Sequence, residues 1–492
     1  MPGFFDPAPH DEARQPPMGP KQEQHEQCQC HNEPVRKLHD QVLTAMANPT
    51  GRLEVERGLS QFRAQSRIDL QPQHSDKPLV LTNMRLFDGE RTELQTGLSL
   101  RIEGNRITAI EGAQTDHGDV ELIDCQNKVV MPGLIDAHWH STLCAITEQQ
   151  AMMADVALIH QFAAKEAENT LLRGFTTLRD AGGPSFALKQ AIDMGVLHGP
   201  RLFPSGAMVS QTAGHGDFRM RYEIPASCDQ LSHSERAGVT ALANGDAQVL
   251  QRVREQLLLG ATQIKLMVGG GVTSLYDPID SIQFTESELK AGVQAAKDWG
   301  TYAMVHVYTA AGIERAVRSG VQSIEHGQLC DEATARLIKD EGVWWSLQPF
   351  LGDEDANQHA DPMTQKKQQR VVQGTIQAYE LAQRFNIQTA WGTDILFTPQ
   401  NLPRQGHMLA KMTRFYAPLE ALKIATSQNG KLLAMAGARY PYPGPVGVLK
   451  ADAMADVLII DGEPEQNLDF LTDPDTNIKA IIKDGLVYKW LL

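Results

Sequence analysis

Short apolar runs rich in β-branched residues recur through the middle of the chain. They are VVMPGLIDAHWHST (129–142), GFTTLRDAGG (174–183), RLFPSG (201–206), ATQIK with LMVGGGVTS after it (261–274), TYAMVHVYT (301–309), VQSIEHGQL (321–329), VWWSLQPF (343–350) and IQTAWGTDI (387–395). Each has the length and texture of a buried parallel strand and stops at Gly, Thr or a polar turn. Between them the period changes to that of a helix. TESELKAGVQAAKDW (285–299) opens with a Ser/Thr-x-x-Glu start, Thr285 to Glu288, and carries apolar residues at helical spacing. Residues 311–319 and 332–341 read the same way. Strand and helix in alternation predict a parallel α/β fold, and eight such strands, counting residues 134–140 as the first, predict a (β/α)8 TIM barrel.

The flanks have a different pattern. Residues 78–130 hold PLVLTNMRLFDG, LSLRIEGNRITAIEG and DVELIDCQNKVV, and residues 440–492 return to that style in ADVLIIDG and IKAIIKDGLVYKW. The two ends are expected to meet in one small β-domain, a β-sandwich, with the barrel over 131–439 inserted between them. Residues 1–77 form an extension. Its first part, to residue 34, is polar and rich in Pro, Gln and His and is predicted to be mobile. From Pro34 to Leu70 helix-like segments surround a break at Pro49-Thr50-Gly51. Cys28, Cys30 and His31 suggest a second metal site, but they lack a partner cluster at zinc spacing, so free thiols in an extension are the better reading.

Composition narrows the class. A chain of 492 residues buries a large core, and its length suits one barrel with an accessory domain. A net charge of −15 argues against nucleic acid or an anionic membrane as partner. No apolar run reaches the roughly 18 residues of a spanning helix, and no basic start leads into an apolar core as in a secretory signal. Six sparse cysteines fit a reducing compartment, so a cytoplasmic location is expected.

Candidate chemistry sits at the ends of the predicted strands. His138 and His140 lie two apart, so in a strand both imidazoles point to one face, as the first two ligands of a metal ion must. Taken alone, an HxH reads equally well as two unrelated core or surface histidines. Lys265, His306, His326 and Asp394 then follow in order, each ending an apolar run. A lysine alone in such a strand would read as a salt-bridge partner.

In this order the six residues resemble the amidohydrolase superfamily, in its form with two divalent metals bridged by a carboxylated lysine. The resemblance covers roughly residues 78–492. It implies HxH on strand one, lysine on strand four, histidines on strands five and six and aspartate on strand eight, here His138, His140, Lys265, His306, His326 and Asp394. It further implies two divalent ions, zinc by preference, with Lys265 converted to N6-carboxylysine. The nucleophile would be a hydroxide between the metals, and Asp394 would carry its proton to the leaving amine.

Weaker candidates surround this set. His215 in the glycine-flanked loop QTAGHGD reads either as a substrate contact or as a surface histidine. Tyr308, two residues past His306, faces the same space and is a candidate donor to a substrate carbonyl or carboxylate. Asp180 reads as an acceptor that orients a ligand, or as a helix N-cap. Arg179, Arg219 and Arg221 are candidate partners for a substrate carboxylate, or solvated arginines. The triple glycine at 269–271 lacks the pattern of a phosphate loop and reads as a turn that lets backbone approach the site.

The texture of GFTTLRDAGG, QTAGHGD, IKLMVGGGV, HVYT and IEHG is similar to the branch that holds prolidase-like Xaa-dipeptidases, carboxypeptidases and ochratoxin-cleaving amidases. The expected substrate is therefore a dipeptide or another small molecule with an amide bond to a C-terminal amino acid. A homo-oligomer is common in the resembling family. The rival readings are a deaminase or other cyclic-amide hydrolase of the same superfamily, and a non-enzymatic scaffold.

Overall fold

A computed structural model of the chain describes residues 77–224, 230–274, 276–357, 359 and 361–492. The expected extension with Cys28, Cys30 and His31 lies outside the described residues, Lys77 excepted. The first strands are β1 (Leu79–Thr82), β2 (Arg85–Leu86), β3 (Leu98–Glu103), β4 (Arg106–Gly112), β5 (Glu121–Asp124) and β6 (Val129–Pro132). The central region holds β7 (Leu134–Trp139), β8 (Phe175–Asp180), β9 (Arg201–Pro204), β10 (Met208–Ser210), β11 (Thr240–Leu242) and β12 (Ile264–Met267). It continues through β13 (Ala303–Thr309), β14 (Ser323–Leu329), β15 (Trp344–Leu347) and β16 (Thr389–Trp391). The last strands are β17 (Val457–Ile460), β18 (Ile478–Lys483) and β19 (Leu486–Trp490).

The central strands pair in parallel in two arcs, β7-β8-β9 and β11-β10-β12-β13-β14-β15-β16. Helices such as Val156–Leu172, Glu286–Asp298, Ala310–Arg318 and Glu332–Asp340 cross between them, which makes this an α/β fold of the TIM-barrel type. Thr285 caps its helix as the T-x-x-E start requires, its side chain accepting from Glu288 N–H while the Glu288 carboxylate accepts from Thr285 N–H.

The third predicted strand, 201–206, is β9, and a further strand, β10, follows it unpredicted. β9 pairs with β8, the backbone turns at Ser205–Ala207, and β10 pairs with β12. Gly206 makes the turn at φ +75°, where a Cβ would stand 2.5 Å from the Gln256 amide oxygen. Across the other gap, the Asp394 N–H donates to the His138 carbonyl at 2.8 Å. Gly392 permits that approach, since a Cβ there would lie 2.3 Å from the His138 nitrogen.

The flanking strands form two sheets, β4-β3-β1-β5 and β19-β18-β17-β6-β2. They bury a common apolar core, with Leu81, Leu100 and Ile107 from one sheet and Val130, Ile459 and Ile482 from the other. Met131 and Pro132, which the expected barrel boundary at 131 placed in the barrel, belong to this layer, for β6 runs through Pro132 antiparallel to β17. Among the described residues no helix is long and apolar enough to cross a membrane.

Candidate metal centre and active site

β7 carries His138 into the space between the arcs, and His140 follows one residue past its end. Their Nε2 atoms lie 3.4 and 3.2 Å from the same Asp394 oxygen, Oδ1. Each Nδ1 is taken up on the far side of its ring. That of His138 meets Glu325 Oε2 at 2.7 Å, and that of His140 meets the Gly182 carbonyl at 2.9 Å. A carboxylate and a backbone carbonyl only accept, so in the neutral rings the hydrogen sits on Nδ1 and the Nε2 lone pair is left for a cation. His326 Nδ1 lies 2.8 Å from Gln348 Oε1, whose amide nitrogen is directed at the Ser346 carbonyl. His138, His326 and Asp394 offer ligand atoms within 4.8 Å of one another.

Lys265 enters this cluster from inside β12 rather than from its end, because the strand continues to Met267. Its Nζ lies 3.4 Å from His138 Nε2. Burial pushes the amine down to about 8, against the upward pull of Glu325 and Asp394. Among the described residues no carboxylate oxygen comes within 4.0 Å of Nζ. The ammonium can donate to the His138 Nε2 lone pair, but what disfavours its charge is burial without a carboxylate at ion-pair distance. Two imidazoles and a carboxylate at this spacing, His138, His326 and Asp394, are a donor set that fits a divalent cation.

Burial works against the charge on Asp394, but the imidazoles of His138, His326 and His140 hold its carboxyl well below the usual carboxylate range. Its side chain is 18% exposed, the most open of this group, and faces the cleft. His306 packs its ring 4.5 Å from that of His326 and 4.2 Å from that of His215, with Nε2 directed at the Gly270 carbonyl at 3.3 Å. Tyr308 lies at right angles to the His306 ring and stacked on that of His326, each at 5.2 Å. Burial drives its phenol well above the ordinary value, so the hydroxyl keeps its proton and can donate.

His215 is no surface histidine. Its N–H donates to Gln283 Oε1 at 2.8 Å, its Nδ1 meets Ser274 Oγ at 2.9 Å, and its ring occupies the space that a side chain on Gly271 would take. Asp180 accepts from the backbone N–H of Ser141 at 2.8 Å and of Gly182 at 3.2 Å. It therefore props the segment after His140 and is not an N-cap; Ser185 holds that position in the next helix.

The candidate arginine partners for a substrate carboxylate are engaged elsewhere. Arg179 is wholly buried against Glu325, Arg219 is closed onto Asp217 at 2.6–2.7 Å, and Arg221 lies over the Tyr276 ring. None of the three lines the cleft, an open space of about 1130 Å³. Its outer wall comes instead from residues the sequence reading missed, apolar Phe350, Leu351 and Phe397 and polar Asp353, Asp355 and Lys411. Glu325 was missed as well, although a carboxylate inside an apolar strand next to a candidate ligand is a signal.

A model of the amidohydrolase family matches residues 129–487. Ochratoxinase of Aspergillus niger is 29% identical over 406 residues, which cover 78% of this chain and 82% of that protein. Its crystal structure aligns with a TM-score of 0.73 at 26% identity, over 84% of this chain and 96% of the other. A prolidase crystallised with N-methylphosphonate-L-proline aligns with a TM-score of 0.76 at 32% identity, over 84% of this chain and all of that one (100%). A Xaa-Pro dipeptidase with methionine in its active site gives 0.72 at 27% identity, with 84% and 100% covered.

Proposed function

The chain belongs to the amidohydrolase family and is a hydrolase acting on C–N bonds, and we propose that it cleaves the amide bond to a C-terminal amino acid in a dipeptide or N-acyl amino acid, ochratoxin-like amides included. The observation that carries this reading is the convergence of His138, His140, His326 and Asp394 on one open cleft beside a buried lysine that lacks a carboxylate partner. These residues, with His306, would hold two divalent cations, zinc by donor chemistry, and Lys265 would join them as N6-carboxylysine. When bound, the cations supply Lewis acidity toward the scissile carbonyl and the attacking water.

The protein's own groups do the rest. Asp394, ionised and open to the cleft, takes the proton of the attacking water on a carboxylate oxygen and delivers it to the leaving amine nitrogen. The Tyr308 hydroxyl donates to a substrate oxygen, and His215 contacts the substrate from the neighbouring loop. Phe350, Leu351 and Phe397 exclude water and receive an apolar acyl or side-chain group.

The scaffold in this reading is a closed (β/α)8 barrel over about 131–439, with the segments 78–130 and 440–492 in a small β-sandwich. A small-molecule substrate, a cytoplasmic location, a homo-oligomeric assembly and no nucleic-acid or membrane partner complete it, the last in keeping with the net charge of −15.

The test combines elemental analysis with a panel of dipeptides and N-acyl amino acids. Two zinc or similar ions per chain and turnover on the panel are expected. Asp394→Asn is expected to lower kcat by roughly 100-fold or more. One ion per chain with deamination in place of hydrolysis, or full turnover by Asp394→Asn, would overturn the reading.

A further inference from the structure

Behind the rings that face the cleft lies a wholly buried polar cluster that the reaction above leaves unused. Glu325, on β14, and Arg179, on β8, are both 0% exposed. Glu325 Oε2 accepts from Arg179 at 2.6 Å and lies 2.7 Å from His138 Nδ1, while Oε1 accepts from Ser323 Oγ at 2.6 Å. The guanidinium also donates through Nε to the Ala137 carbonyl at 2.6 Å and through its remaining nitrogens to Tyr302 OH at 3.2 Å and Ser346 Oγ at 3.3 Å.

A buried ion pair of this kind is a poor way to gain stability, since a well-packed apolar group of the same volume does as well or better. Its geometry, however, is specific to one residue. Arg179 grips the backbone immediately before His138 and also the carboxylate that touches the His138 ring, so both ends of that residue refer to one rigid, planar group. His140 and His326 have neutral acceptors at hydrogen-bond distance from Nδ1, a backbone carbonyl and an amide, with Asp394 Oδ2 no nearer than 4.0 Å to His326 Nδ1; His138 alone of the three has a carboxylate at that distance.

We infer that Glu325 and Arg179 are positioning residues, which fix the hydrogen of His138 on Nδ1, aim its Nε2 at the cation position and thereby set how tightly the protein holds metal. This rests on the metal-dependent reading above. Removing the acceptor frees the ring to rotate or to carry its hydrogen on Nε2, and either outcome removes a donor from the cation. A lysine at 179 keeps the charge but cannot hold the carbonyl and the carboxylate in one plane.

The experiment is zinc affinity by chelator competition on the full-length protein, preceded by zinc content of the wild type. Glu325→Gln and Arg179→Lys are each expected to weaken zinc binding roughly 10- to 100-fold, the range for a lost acceptor behind a metal-bound histidine. Asp456→Asn breaks a second deeply buried Arg–carboxylate pair, Arg201–Asp456, remote from the metal ligands, and is expected to lower Tm with zinc affinity unchanged. Wild-type affinity in both site variants overturns the inference and leaves the metal-dependent reading intact. A wild type that takes up no zinc overturns that reading. If neither site variant folds, long-range 1H–15N spectra of metal-free wild-type protein decide the matter: a hydrogen on His138 Nδ1 supports the inference, and one on Nε2 overturns it.

Discussion

His326 and Asp394 hold backbone conformations that side chains with a Cβ avoid, at φ +74° and +55°. Each is pinned by a neighbour, the His326 carbonyl by the Trp345 indole N–H at 2.8 Å and the Asp394 N–H by the His138 carbonyl. The apolar runs marked both residues as lying at a buried strand, but a period-two pattern carries no sign of the left-handed kink that aims them. The same burial makes these histidines sensitive to acid. Burial pushes His138 down to about 4, helped by the nearby Lys265 charge, and His306 and His326 well below their ordinary value of 6.5. As pH falls from 6.5 toward 4 the unfolded chain binds protons that the folded protein refuses, so stability is lost. His138 alone accounts for about 3 kcal/mol of that loss. Asp136 works in the opposite direction. Burial raises it from 3.8 to about 6, so the folded state binds its proton first and gains stability over that range. That gain matches the His138 loss in size, and burial raises Asp180 in the same sense, so the net effect rests on His306 and His326. Urea unfolding of metal-stripped protein should therefore show a net loss of stability between pH 6.5 and 4. A flat profile would mean that these rings are not buried in neutral form.

At the level of elements, the turn that brings loop backbone to the site is legible in GGG, and the capped helix Glu286–Asp298 in T-x-x-E. The partner of a buried charge is not. Arg179 in an apolar strand looks like a substrate anchor until the fold brings in Glu325, 146 residues further along. Charge in a buried run signals that a partner exists without saying whether protein or ligand supplies it. β10 went unpredicted for a related reason, since the turn that leads into it from β9 depends on the space around Gly206 and not on the apolar texture of RLFPSG. The glycines of the 269–271 turn show what the texture does encode. A Cβ on Gly270 would stand 1.9 Å from the Pro278 carbonyl oxygen, and one on Gly271 would stand 1.7 Å from His215 Cε1. Gly271→Ala must therefore move the His215 ring off the His306 face, because the imidazole yields more readily than the backbone. The expected result is a several-fold rise in KM on the best panel substrate, with a stability cost of roughly 1–3 kcal/mol for the overpacked contact. An unchanged KM would remove His215 from the substrate's surroundings.

For the molecule as a whole, the question is how two layers built from distant parts of the chain keep one geometry. β6 lies against β17, and Gly133 alone separates β6 from β7, five residues ahead of His138. A Cβ at Gly133 would come within 2.0 Å of Thr176 Oγ1, so the passage between the layers is as tight as backbone allows. Arg201, at the start of β9, closes the joint by donating to both oxygens of Asp456 at 3.0 and 2.9 Å and pairing with Asp484, whose own N–H is held by Asp456 at 3.0 Å. The alternating flanks made the two terminal segments recognisable as strands, but a lone Arg and two Asp on opposite sides of a 255-residue separation give no hint of this pair. Removing one partner of a buried pair leaves the other uncompensated, at about 3–5 kcal/mol. Asp484 still faces Arg201 in Asp456→Asn, which argues for the lower end, about 3 kcal/mol. Thermal and urea unfolding should show that loss while the folded variant retains its zinc and its kcat. A fall in kcat at a temperature where the variant is fully folded would mean instead that the joint transmits its geometry along β6 and β7 to His138.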